Sequence, residues 1–303
     1  MIFTDNYLQE EISRTEELIT KLGAGQNETI LLDMLLANGN VEKAMAEMFV
    51  WRQEDTRNLE AGMIDGVMEG ADYGKAGDAP KRKKKHNNCQ IFKAVASMSA
   101  TAMALNPLGI KDHMAKDVEE KLVLLKRALN KCLIEGTIQD EDKGQNKPRK
   151  MNGLLNFIEI TKDCSGEALT ADIFTDVMEQ MWKEGNGGDK LCLLNATAKR
   201  KINKIFSDVP EATLEIQAGN NTFGVLATSV ITDFGTIHFV LDRCMPQDQI
   251  AIIRPSELIL STLRPFEVKE MTENFDGVSR VIIGEYGLKV RNTRAHAKIL
   301  NFA

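Results

Sequence analysis

Aromatic residues are scarce in this 303-residue chain, at 6%, with two tryptophans and three tyrosines. Histidine is scarcer still. His86, His113, His238 and His296 are dispersed and share no ligand spacing with the cysteines, which argues against a zinc site. The five cysteines (Cys89, Cys132, Cys164, Cys192 and Cys244) stand far apart and form no CxxC pair. An odd count in a long chain argues against a disulfide scaffold and for a reducing compartment. Long apolar runs are missing too, so nothing reaches bilayer-spanning length. The first 22 residues carry Asp5, Glu10, Glu11, Glu16 and Glu17 where a signal peptide needs a basic start and an apolar stretch.

Catalytic and cofactor signatures are also absent. The Gly185-Asn186-Gly187-Gly188 cluster is not followed by Lys-Ser or Lys-Thr, so it reads as a turn and not a phosphate loop. There is no GxSxG elbow and no HExxH helix. Asp140-Glu141-Asp142 is too short for a calcium loop. Lys162, Asp163 and Cys164 suggest a nucleophile neighbourhood, yet no partner histidine accompanies them. The expectation is a protein without catalytic residues, metal or cofactor.

What is present is an ordinary globular composition, 43% hydrophobic and 27% charged, enough for a buried core in one large or two smaller domains. The net charge of −6 argues against a globally basic nucleic-acid binder. That value hides an asymmetry. Residues Met1 to Asp78 hold 16 acids and 6 bases. Ala79 to Lys111 holds no acid and seven bases, five of them consecutive: Lys81, Arg82, Lys83, Lys84 and Lys85. A run like this is a solvated loop, a basic surface that meets an acidic one on another copy, or a nucleic-acid patch. Only Phe92 lies near it, so base stacking has little support.

The periodicities suggest a mixed chain. Leu8, Ile12, Ile19 and Leu22 share one face of a helix over about 5–22. A second helix starts near Glu28, and Val41 to Met48 reads as another helical piece. From Arg52 to Asn88 the apolar rhythm is lost, which suggests an extended arm. Ile91 to Ala100 alternates as a strand. Ile110, Met114, Val118, Leu122, Leu125 and Leu129 then keep helical spacing up to Gly136. After a polar connector, helices are expected behind Thr170 and over Ala196 to Phe206. Strands are expected at Leu191–Leu194, Thr213–Ile216, Phe223–Thr228, Ile237–Leu241, Ile250–Ile253 and Val278–Arg291.

Several strings are more specific than any of these patterns. Asn88-Cys89-Gln90-Ile91-Phe92-Lys93 leads through Ser97-Met98-Ser99-Ala100 to the long helix ending Glu135-Gly136. Lys150-Met151-Asn152-Gly153-Leu154-Leu155 follows, then Ile252-Ile253-Arg254-Pro255 and Leu263-Arg264-Pro265-Phe266. Gly284-Glu285-Tyr286-Gly287-Leu288-Lys289-Val290-Arg291-Asn292 and Ala295-His296 close the series. In this order the chain resembles tailed-phage major capsid (major head) proteins, which have the α+β Hong Kong ninety-seven-type capsid fold shared with encapsulins. The resemblance covers roughly 49–303.

The resemblance implies an N-terminal helical arm over 1–50, an extended E-loop over 51–100 and a peripheral domain over 101–160 whose spine helix spans 110–136. It further implies an axial domain over 161–264 and a return to the peripheral domain over 265–303. It implies self-assembly into pentamers and hexamers of an icosahedral head, in the virion, built in the host cytoplasm around double-stranded DNA held without sequence-specific binding. The short stretch before Trp51 points to a separate scaffolding protein. A portal and decoration proteins are further expected partners, and no membrane is. Candidate contacts between subunits are Lys81, Arg82, Lys83, Lys84 and Lys85, with Leu8, Ile12, Ile19 and Leu22 on the arm. An encapsulin-like nanocompartment shell is the alternative.

Overall fold

The computed structural model describes residues 28–55, 68–70, 82–104, 113–207, 214–216, 227–272 and 276–302. Four early elements are α1 (Ile30–Ala37), β1 (Val41–Lys43), β2 (Met48–Glu54) and β3 (Arg82–Asn88). Then come β4 (Gln90–Ser99), α2 (Ala100–Ala104), α3 (His113–Glu135), α4 (Leu154–Phe157) and β5 (Ile160–Asp163). They are followed by α5 (Ala171–Lys183), β6 (Lys190–Leu194), α6 (Ala196–Ser207), β7 (Leu214–Ile216), β8 (Ala227–Thr232) and β9 (Gly235–Leu241). The chain finishes with β10 (Gln249–Ile253), β11 (Leu258–Met271), β12 (Gly277–Val290) and β13 (Ala297–Leu300).

Among the described residues the strands form three sheets. One has the order β1-β11-β12-β4, another β5-β13-β10-β6-β9-β8-β7, and β2 and β3 pair only with each other. The chain therefore crosses between the two larger sheets three times: into the second before β5, back after β10, and across again after β12.

Alternation along β6 and β10 explains how the second sheet organises two cores. Cys192, Leu194, Ile250 and Ile252 face α5 and α6, where they bury Phe174, Val177, Met178, Met181, Ala198 and Ile202. Leu193, Ala251 and Ile253 face the other way and join Leu31 and Leu35 of α1, Leu129 and Leu133 of α3, and Leu258, Leu260, Ile282 and Leu288 of the first sheet. The core on that side is thus shared between the two sheets.

Helix α3 ends at a close backbone crossing. The Gly153 N–H donates to the Gly136 carbonyl at 2.7 Å. A Cβ on Gly153 would lie 2.6 Å from the Ile134 carbonyl oxygen, so only glycine permits the approach.

Three expectations need correction. Val41 to Met48 is not helical: Val41–Lys43 pairs in parallel with Leu260–Thr262, and Met48 opens β2. The apparent helical stripe buries little, since Met45 is 90% exposed and Met48 51%. Second, the irregular stretch after Arg52 is bordered by a regular ribbon, with Met48 opposite Asn88 and Glu54 opposite Arg82. Third, the strand expected at Phe223–Thr228 runs over Ala227–Thr232, and 223–226 lie outside the described residues. Three further strands, β5, β11 and β13, give no clear signal in the sequence.

Candidate assembly surfaces

The ribbon is where the basic run lies. Arg82, Lys83, Lys84 and Lys85 are strand residues of β3, while Lys81 lies outside the described residues. A plain solvated loop is therefore not what Arg82 to Lys85 form. Their strand register places acids of the same chain beside them. Arg82 meets Glu54 at 2.7 Å, Lys83 meets Asp55 at 3.4 Å and Lys85 meets Glu159 at 2.8 Å. The first two pairs are half exposed and contribute about 0–1 kcal/mol each. Lys84 is exposed. Leu8, Ile12, Ile19 and Leu22 all lie outside the described residues.

Aromatic packing anchors the ribbon. Trp51 is buried, stacked on Phe49 at 5.9 Å and tilted against Phe157 at 5.7 Å. Charge holds its flank. Arg294 reaches Glu184 at 2.9 Å, Glu159 at 3.5 Å and Asp55 at 3.5 Å, and so links the end of α5 to the ribbon. Partial burial works against ionisation of Glu159, but hydrogen bonds from Lys85, Thr293 and Arg294 hold its carboxyl below the usual range. Asp55, Glu159, Glu184, Thr293 and Arg294 line an open polar cleft of about 700 Å³, together with Arg52, Lys183 and Arg291.

A second charged cluster fastens the β3–β4 junction at Cys89 to β11 and β12 of the first sheet. Arg149 bonds Glu285 at 2.5 Å, Glu47 at 2.7 Å and the Cys89 carbonyl at 2.7 Å, while Arg264 Nε bonds the other Glu285 oxygen at 2.6 Å. Glu285 is 4% exposed, so this pairing is internal.

A third polar group lies where the chain crosses between sheets. His296 is fully buried between β12 and β13, and its Nδ1 accepts the backbone N–H of Arg254, between β10 and β11, at 3.3 Å. Burial pushes this imidazole down to about 3, helped by Lys190 nearby.

Lys162, Asp163 and Cys164 form no reactive set. Lys162 pairs with Asp176 at 3.2 Å, and burial pushes the Cys164 thiol up. Among the described residues no group of three or more His, Cys, Asp or Glu is placed to hold a metal. No described helix is long and apolar enough to cross a membrane.

What the geometry offers is a two-stranded ribbon tied to the subunit by aromatic packing and ion pairs, with Met48, Val50 and Lys84 exposed along it. The family model for the SU10 major capsid protein matches residues 9–303. The chain belongs to that family. No curated protein sequence matches it. Solved structures show the same fold at low identity. The cyanophage A-1(L) capsid is 10% identical with a TM-score of 0.69, covering 99% of each chain. The capsid of the native GTA particle is 13% identical with a TM-score of 0.64, covering 96% of this chain and 95% of that one. The SrpI encapsulin from Synechococcus elongatus PCC 7942 is 13% identical with a TM-score of 0.60, covering 97% and 94%. This is a tailed-phage major capsid protein with the α+β Hong Kong ninety-seven-type fold.

In this capsid subunit, sequence reasoning found the basic run but missed Arg149, Glu285, Arg264 and Arg294. No local pattern marks them. Arg149 and Glu285 meet across 136 positions. Only their recurrence inside the family-like strings Leu263-Arg264-Pro265-Phe266 and Gly284-Glu285-Tyr286 hinted at two of them.

Proposed function

We propose that the chain is the repeating wall subunit of a phage head: it forms hexamers and pentamers that close into an icosahedral shell around double-stranded DNA. The observation that carries this reading is the β2–β3 ribbon. It belongs to neither larger sheet. Phe49 and Trp51 cover only one of its faces. Here Val50 and Met48 are also exposed, at 42% and 51%. A ribbon of this kind gains a covered face when it lies on a neighbouring subunit. In this reading it is the stem of the E-loop, α3 is the spine helix, the β1-β11-β12-β4 sheet is peripheral and the seven-stranded sheet is axial. The helix carrying Leu8, Ile12, Ile19 and Leu22 docks on a neighbour, and the basic run adds contacts between subunits through Lys81 and Lys84. A separate scaffolding protein, a portal and decoration proteins complete the particle, which is assembled in the host cytoplasm.

The test is to replace 56–81 with a short Gly-Ser turn. The subunit is expected to keep its far-UV circular dichroism and its unfolding midpoint, while shells disappear from electron micrographs. Shells at wild-type yield would sink the proposal. The encapsulin likeness supports a second reading, a shell around protein cargo. The content of purified particles separates the two: duplex DNA for a head, a co-purifying protein for a nanocompartment.

A further inference from the structure

Helix α3 is buried along one side only. Leu125, Leu129 and Leu133 face the core, while Val123 and Leu124 on the outer side are 53% and 51% exposed. Ala128 and Lys131 are exposed one and two turns beyond Leu124, on the same face. Beside them a cleft of about 460 Å³ separates α3 from the loop between β9 and β10. Arg127, Lys131 and Arg243 line it, with Glu28 and Glu135 as the only acids. Glu28 lies between two of the cations, 2.5 Å from Arg127 and 3.5 Å from Arg243. Glu28 is also the first described residue, so the N-terminal arm joins the fold at this cleft.

The sequence of the arm suits the face beside its root. On the helix expected over about 5–22, Leu8, Ile12, Ile19 and Leu22 form one stripe. With 3.6 residues per turn, Glu11 and Glu16 fall on its two flanks. An apolar stripe flanked by acids complements Leu124 and Ala128 flanked by Arg127, Lys131 and Arg243. The connection is short: only Gly23, Ala24, Gly25, Gln26 and Asn27 separate Leu22 from Glu28. Six steps of chain span at most about 22 Å. A tether of this kind gives an effective concentration on the order of millimolar, more than a second subunit reaches in dilute solution. We infer that the outer face of α3 is the seat of the arm's helix, occupied by the chain's own arm in the free subunit and by a neighbour's arm in the shell. Exchange of an identical element costs little, because the same residues meet before and after it. The exchange rests on the proposed self-assembly; the seat in the free subunit does not. Nucleic acid is a poorer occupant, since phosphates would meet the cations and leave Val123 and Leu124 in water.

Hydrogen exchange and cysteine pairing in the full chain test both halves. In free wild-type subunits the amides of 5–22 are expected to exchange at least about tenfold more slowly than in L124D, whose unfolding midpoint stays at the wild-type value because the side chain is exposed. If aspartate perturbs α3, L124S takes its place, with a smaller loss of protection. Mild oxidation of dilute I12C/L124C or I19C/L124C subunits is expected to link the two positions within one chain, and the single-cysteine variants show which bonds need both. In shells the same pair is expected to link neighbouring chains. Equal protection of 5–22 in wild type and in both Leu124 variants overturns the seat. So does the lack of an intramolecular bond in both cysteine pairs, or a bond that forms only between chains in dilute subunits, which would make a second copy the first occupant. Shells whose bonds all stay within one chain overturn the exchange. A wild-type chain that never assembles overturns the shell reading, while the free subunits still decide the seat.

Discussion

Replacing Glu285 by Gln is expected to destabilise the subunit by about 3 kcal/mol, the low end of the range for breaking a buried ion pair. Glu285 is 4% exposed and accepts from both Arg149 and Arg264. The substitution keeps the shape and removes the charge, leaving the buried Arg149 guanidinium short of its closest counter-ion. Glu47, at 2.7 Å, softens the loss. A pair of apolar residues of similar volume, R149M/E285L, is expected to recover much of the stability, because neither desolvated charge then remains. Urea denaturation of dissociated subunits measures both. If E285Q unfolds at the wild-type midpoint, the cluster contributes only packing, and the account of how β3–β4 is fastened is wrong.

The second large effect is on acid stability. His296 titrates near 6.5 when unfolded and near 3 when folded, because burial and Lys190 disfavour its cation. Between those values the unfolded chain binds the extra proton. The stability that His296 contributes is therefore complete above about pH 6.5 and falls by about 1.4 kcal/mol per unit as pH drops toward 3. Lys190, pushed down to about 8 by burial, with Arg254 also disfavouring its charge and Asp189 and Glu257 favouring it, has already given up its share above pH 8. Asp242 works in the opposite direction: burial raises its carboxyl, so it gains as pH falls and offsets part of the slope. In H296N an amide oxygen takes the place of Nδ1 as acceptor for Arg254. That variant is expected to show a flatter stability profile from pH 6.5 to 4. An unchanged slope would remove His296 from the explanation.

The sequence carried α3 well, because Met114, Leu125, Leu129 and Leu133 are the buried positions of the face expected from its periodicity. The same logic worked for α5, whose Phe174, Val177, Met178 and Met181 are buried as spaced. It failed at Val41–Met48, where apolar spacing imitated a helix while pairing with β11 decided the local structure. Strand β11 stayed hidden for another reason. Its register shifts between Thr262 and Arg264 and again between Arg264 and Glu267, around Pro265. Those irregularities break the alternation on which strand recognition depends. Strand β13, four residues long, is too brief to show a period. The basic run was visible as charge, but its partners Glu54, Asp55 and Glu159 depend on a pairing register that composition does not encode.

The three crossings between sheets set a timetable for the newly made chain. Among the described residues β4 pairs only with β12, and β5 only with β13. Both partners lie far along the chain: Gln90 is opposite Tyr286, and Ile160 is opposite Ala297. Neither large sheet is complete until β12 and β13 have been made, and contacts that join such distant positions form slowly. Helix α3 and the β8–β9 hairpin have local partners and gain order early, as fragments waiting for a frame. A fragment that stops before β12 therefore leaves both sheets unfinished, with β4 and β5 as unpaired edges open to the wrong partner.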